Sequence, residues 1–214
     1  PSPIAYNKDH AVPHELSVDE IRGVQDSFRT ATKRALTAGF EWLEIHAAHG
    51  YLLHSFYSPL SNQRTDEYGG SFENRIRFLL ETVRAVREVW DERHPLTVRI
   101  SGTDWADGGW NVDDSVELAQ RLKTDGIDLI DCSSGGGVAQ AKIPLGPGYQ
   151  VPISEAVRHG ADIQTAAVGL IIAPEQADEI IRNGRADLVL LGREMLRNPY
   201  WALHAAQRLK QSAP

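Results

Sequence analysis

Apolar residues at Ile21, Val24, Phe28, Ala31, Ala35 and Ala38 recur at the three-to-four-residue spacing of one helix face. Ser17 stands three residues before Glu20, a capping-box spacing that places a helix start there, and Gly39 marks its end. The largely apolar stretch 40–45 follows immediately and reads as a strand. The same helix-then-strand order then recurs along the chain. A helix near 71–90 precedes a strand at 96–100, and a helix near 112–124 leads through Gly126 to a strand at 127–131. A shorter helix around 153–159 leads to 166–170, and one at 174–183 leads through Gly184 to 187–192. A last helix at 199–210 closes the pattern, and residues 1–16, with Pro1, Pro3 and Pro13, read as a loop or linker.

Short apolar strands, each preceded by a helix, indicate a parallel α/β sheet covered by helices. No shift of composition and no low-complexity tract divides residues 1–214, so they read as one unit. Two architectures fit: a doubly wound open sheet, or part of a (β/α)8 barrel. The Gly-x-Gly-x-x-Gly phosphate fingerprint follows none of the strands, which weakens the dinucleotide fold. Polar, chemically capable residues instead follow several strand ends: His46, Arg99 to Ser101, Cys132 to Ser134, Gly169, and Gly192 with Arg193. Drawing reactive groups from the C-terminal ends of many strands is the habit of the (β/α)8 TIM barrel, which is therefore the expected fold.

Composition removes several functions. Lys plus Arg total 22 against 29 Asp plus Glu, a formal charge of −7, and the basic residues are scattered, so no nucleic-acid partner is expected. No apolar run approaches the ~20 residues of a membrane helix, and no signal peptide is visible at the N-terminus. A cytoplasmic location is expected. Cys132 is the single cysteine, which excludes an intrachain disulfide or thiolate zinc cluster, and it reads as a small buried residue.

The densest chemistry lies in 46–54, beginning where a strand ends. His46 and His49 on a loop leaving a strand can aim N–H groups at one oxygen that gains charge. Tyr51 adds a phenol able to deliver a proton. Two duller readings compete: a metal site of His46, His49 and His54, or structural packing. Against a metal, no Glu separates the first two histidines and no helix start is expected under them. Arg99, inside an apolar strand, reads as facing an anion or an electron-rich ring, with a buried ion pair as the alternative. Gly169, Gly192 and Arg193, at the last two strand ends, suit a phosphate, with a short helix N-terminus beside them. Ser133 and Gly135 to Gly137 are candidate further donors. The stretch 62–71 reads as a structured polar loop ending in a helix cap, and Trp105 and Trp110 flank a turn and could line a pocket or shield it.

Taken together, residues 44–52, 58–62 and 64–71, with Glu73, Asn74 and Arg75, closely resemble the Old Yellow Enzyme family. The His-x-x-His form and the run from Asp131 to Gly135 are most similar to its bacterial, thermophilic-type ene-reductase branch. The resemblance spans essentially the whole chain. It implies a (β/α)8 enzyme that binds FMN, takes hydride from NAD(P)H and reduces activated C=C bonds such as those of enones and nitroalkenes. It further implies that His46 and His49 hold the substrate oxygen or a phenolic ligand, and that Tyr51 delivers the proton. By the same resemblance Arg99 lies at the flavin pyrimidine edge, and Gly169, Gly192, Arg193 and, less directly, Ser133 hold the cofactor. No metal is implied.

The family's first three barrel strands have no counterpart in these residues, so the expectation is about five C-terminal strand-helix units of a single FMN-binding barrel domain. A fragment, or one chain of a split enzyme, would require a complementary N-terminal barrel chain or self-association. The alternatives are a metal-dependent barrel hydrolase built on His46, His49 and His54, and a catalytically inactive truncated barrel.

Overall fold

A computed structural model of the chain describes residues 1–212. After the irregular opening segment come α1 (Val18–Thr37), β1 (Leu43–Ala47), α2 (Leu52–Tyr57), α3 (Phe72–Arg87) and β2 (Leu96–Ser101). They are followed by α4 (Val112–Thr124), β3 (Leu129–Ser133), α5 (Val151–Ala161), β4 (Gln164–Val168) and α6 (Pro174–Arg182). The chain then forms β5 (Leu188–Leu190), α7 (Arg193–Arg197) and α8 (Trp201–Arg208). All strand pairs are parallel, and the sheet order is β1-β2-β3-β4-β5. That strictly sequential order decides between the two expected architectures. A doubly wound sheet reverses its strand order at a switch point, whereas a barrel arc adds each strand beside the last.

Local chemistry sets the element ends. Ser17 and Glu20 cap α1 reciprocally, and Gly39 turns the chain out with φ +83°. Asn111 and Asp114 form a second capping box on α4, while Ser71 caps α3. The helix-facing side of the sheet and the inner faces of α1, α3, α4 and α5 share one core around Phe56, Phe78, Trp90, Ile100 and Trp110. Each large side chain buried there contributes about 1.5–3 kcal/mol. A smaller cluster of Val151, Ala167, Ile171, Ile180 and Ala186 seats α6.

The other face of the sheet is polar. On β1, Ile45 and Ala47 are buried while Glu44 and His46 between them are exposed, which is the two-residue alternation of a strand. His46, Arg99 and Asp131 are lateral partners across β1, β2 and β3. Among the described residues, β1 and β5 are each paired on one side only.

Most expected elements are found, with shifts of register. The strand expected at 40–45 lies at Leu43–Ala47, because the Phe40 N–H still bonds the Ala35 carbonyl in the α1 exit turn. β3 and β4 are likewise displaced by two residues, in opposite directions, from the expected 127–131 and 166–170. The final strand is a short Leu188–Leu190, and the closing helix expected at 199–210 is α8, preceded by the short α7. No helix among the described residues is long and apolar enough to cross a membrane.

Candidate active site

The turn after β1 is the centre of the site. His49 and Gly50 take positive φ, +60° and +76°, and bring the histidine rings together with centroids 5.2 Å apart. Tyr51 stands 5.6 Å from His46, ring to ring, and is 66% exposed. His49 is fixed at both ends: its N–H donates to Ser101 Oγ (2.8 Å), and its Nε2 meets Ser133 Oγ at 2.7 Å. The Ser133 hydroxyl also reaches Gln150 Oε1 at 3.4 Å, a long contact beside the 2.7 Å histidine bond. Burial, then the Arg99 charge and the neighbouring His46, hold His49 down to about 4. His46 is lowered for the same leading reasons, burial and Arg99. Both rings are therefore neutral N–H donors at ordinary pH.

A buried polar frame supports that turn. Gly50 N–H donates to His54 Nδ1 (2.7 Å), which leaves Nε2–H to meet Asp104 Oδ1 at 3.0 Å. Asp104 Oδ2 also accepts from Ser58 Oγ (2.6 Å) and the Trp110 N–H (2.8 Å). Burial raises the Asp104 pKa, but the hydrogen bonds from His54 and Ser58 outweigh it and leave it lowered. Tyr57 ties the strand ends beneath by donating to the Ala47 carbonyl (2.8 Å) and accepting from Ser101 N–H (3.0 Å). A Cβ on Gly50 would overlap the Gly136 carbonyl, and one on Gly136 would overlap the His49 backbone. Of the glycines expected as extra donors, Gly136 thus serves backbone-to-backbone contact between two loops.

Several expectations are corrected here. A helix does begin under the histidines, since Tyr51 is the N-cap of α2. The six-residue helix was hidden because its apolar pattern is too short to show a period. The three-histidine metal reading fails, because both ring nitrogens of His54 are committed to Gly50 and Asp104. Among the described residues no three His, Cys, Asp or Glu side chains are grouped to hold a metal ion. Trp110 lines no pocket; it is packed between Tyr57 and Phe72 in the core. The polar loop 62–71 is organised by Arg64, which binds the Pro1 and Leu16 carbonyls (3.0 and 2.7 Å) and Asp66. Cys132 is fully buried as expected, which pushes its thiol far above the usual range.

Next to the histidines lies a cleft of about 460 Å³ lined by Arg99, Ser133, Gln150, Gly169, Gly192 and Arg193, among others. These gather every residue that the sequence marked for a cofactor. Gly169 has φ +124°, and a side chain there would strike Gln150 and Tyr149. At Gly192 no atom lies within 4 Å of an added Cβ, so the backbone is open to a ligand. Arg99 Nε is buried without a hydrogen-bond partner. An orphaned guanidinium donor at one end, with glycines and Arg193 at the other, fits a ligand that combines an electron-rich ring with a phosphate. Arg99 also lies 3.1 Å from Asp131 through Nη1 and Oδ2, the ion pair that the sequence offered as its alternative.

Sequence reasoning missed Gln150. It is 3% exposed, accepts from Ser134 (2.6 Å) and Ser133 through Oε1, and donates to the Val168 carbonyl (2.9 Å) through Nε2. Its partners lie on two other segments, at the ends of β3 and β4, so no local pattern could reveal it.

Strand order places the sheet in a (β/α)8-type barrel arc, with paired histidines beside a glycine-lined cleft that carries two arginines. The chain belongs to the NADH:flavin oxidoreductase / NADH oxidase family, the Old Yellow Enzyme family, whose pattern matches residues 1–212. It is 50% identical over 214 residues to an NADPH dehydrogenase of Bacillus subtilis (strain 168), covering all of this chain and 62% of that one. It is 54% identical over 209 residues to an NADPH dehydrogenase of Geobacillus sp. (strain WCH70), 98% of this chain and 61% of the relative. Among solved structures, morphinone reductase in complex with tetrahydroNAD superposes with TM-score 0.78 at 27% identity, over all of this chain and 60% of that one. 2-Naphthoyl-CoA reductase superposes with TM-score 0.86 at 26% identity, over 98% of this chain and 32% of that one. The chain thus spans less than two thirds of the length of these relatives.

Proposed function

We propose that this chain forms the substrate-oxygen site and the phosphate end of an FMN-dependent NAD(P)H oxidoreductase that reduces activated C=C bonds. One observation carries the reading: Ser133 both bonds His49 and lines the cleft, so the oxygen-holding pair and the cofactor groups share a wall. FMN, when bound, supplies the hydride chemistry that amino acids lack. Gly169, Gly192 and Arg193 hold its phosphate, and Arg99 presents a cation to the electron-rich edge of the ring. His46 and His49, neutral because burial and Arg99 lower both, polarise a carbonyl or nitro oxygen through N–H donors. Tyr51, exposed beside His46, holds the proton for the carbon next to that group.

The same reading makes residues 1–214 a portion of a single barrel domain whose sheet is completed through its two edges, by a complementary N-terminal barrel chain or by self-association. Unpaired strand edges and an exposed sheet face favour such pairing. A solution mass above that of one 23.7 kDa chain is expected.

Phenol binding tests the site assignment. Replacing His46 and His49 by Ala weakens phenol by about 1–3 kcal/mol per lost bond while FMN remains bound. Loss of FMN with unchanged phenol affinity would place the histidines at the cofactor instead.

A further inference from the structure

Asp131 has no task in the mechanism above, yet it sits at the middle of the polar sheet face. Its side chain is 1% exposed, and that of Arg99 beside it is 26% exposed. Nη1 of Arg99 and Oδ2 of Asp131 are 3.1 Å apart, but neither carboxylate oxygen makes a hydrogen bond. Around the pair, β1 contributes Glu44 and His46, with His46 in register with Arg99; β4 contributes Ala166, which is neutral. A carboxylate so placed is held by charge and not by hydrogen bonds, so its protonation depends on how much of the Arg99 cation it keeps.

We propose that Asp131 is a positioning residue for Arg99, holding the guanidinium from the Nη1 side while its partly exposed end stays in the cleft wall. An acceptor that gains negative charge at Arg99 draws the cation away, and Asp131 then takes up a proton from solvent. The carboxyl is suited to this exchange. Burial pushes it up to about 7, Arg99 opposes that rise, and Glu44 adds to it. This role rests on the reading of the cleft as a flavin site, since a flavin ring gains negative charge on reduction.

Two measurements separate the inference from that reading. The first needs no flavin: carboxyl NMR of the purified protein follows Asp131 in wild type and in Arg99→Met. Loss of the neighbouring cation is expected to raise the Asp131 titration by about one pH unit or more. An unchanged titration overturns the coupling. The second compares FMN-loaded wild type with Asp131→Asn, which keeps the side chain's shape. Removing the carboxylate is expected to tighten reduced over oxidised FMN by on the order of tenfold, because Arg99 then serves the flavin alone. The near-neutral step in the pH dependence of that ratio should disappear with it. Equal ratios and equal pH profiles in the two proteins, with FMN bound, overturn the role of Asp131 and leave the flavin reading intact. Wild type that takes up no FMN overturns the flavin reading, and the NMR titration alone then decides the Asp131–Arg99 coupling.

Discussion

His49 Nε2 lies 2.7 Å from Ser133 Oγ, and this bond joins the loop after β1 to the end of β3 across the intervening strand. It engages the ring nitrogen that a substrate oxygen would meet. Ser133→Ala therefore frees the His49 N–H, and phenol is expected to bind several-fold tighter, consistent with a hydrogen bond of about 0.5–1.5 kcal/mol. Weaker phenol binding in this variant would mean that Ser133 acts by orienting the ring.

His49 should not titrate near neutrality. Burial and Arg99 depress it to about 4, from the ordinary 6.5. A depressed histidine binds fewer protons folded than unfolded, so its effect on stability appears as pH falls through 6.5 and is complete below about 4. Between pH 7 and 8 it contributes no slope. Imidazole NMR shifts of His49 are expected to stay flat from about pH 5 to 8, and a midpoint inside that window would contradict the neutral-donor account.

The frame under the loop carries stability. His54→Ala removes the acceptor of the Gly50 N–H and a donor to buried Asp104. A loss of about 2–4 kcal/mol is expected from denaturant unfolding, since the Gly50 N–H loses its acceptor and buried Asp104 Oδ1 loses its donor. A change below about 0.5 kcal/mol would show that water or a repacked Ser58 restores both.

Much of this could be read from residue order. The Ser17 and Glu20 cap and the helix-strand alternation located α1 and the parallel sheet, because these signals are local. The grouping of Arg99, Gly169, Gly192 and Arg193 followed from their common position at strand ends, which a parallel sheet brings to one side. Strand boundaries were less legible: Phe40 and Trp42 are apolar but belong to the exit from α1, where backbone bonding and not hydropathy decides. The partners of His54 and Gln150 were invisible, since Asp104 and Val168 are brought to them by tertiary packing alone. In sequence His54 reads as a third metal ligand, whereas its bonds to Gly50 and Asp104 commit both ring nitrogens.

Asp131 predicts an unusual pH dependence of stability. Its carboxyl is raised to about 7 from 3.8, so the folded protein holds a proton that the unfolded chain has lost. Stability from this group is full below the unfolded value and falls as pH rises toward 7. Asp131→Asn is expected to stabilise the protein above pH 7 by on the order of 1–3 kcal/mol, with no gain at about pH 4. Thermal unfolding across that range checks the sign, and a variant less stable at pH 8 would contradict it.

The central claim is that the cleft between Arg99 and Arg193 holds FMN beside the His46 and His49 pair. The most direct measurement is the visible absorption of the FMN-incubated, desalted protein under anaerobic conditions, recorded before and after NADPH and again after an enone. The account predicts a bound yellow chromophore that NADPH bleaches and the enone restores, with Arg193→Ala retaining less flavin. Protein that emerges colourless, or keeps equal flavin when Arg193 is removed, would contradict it.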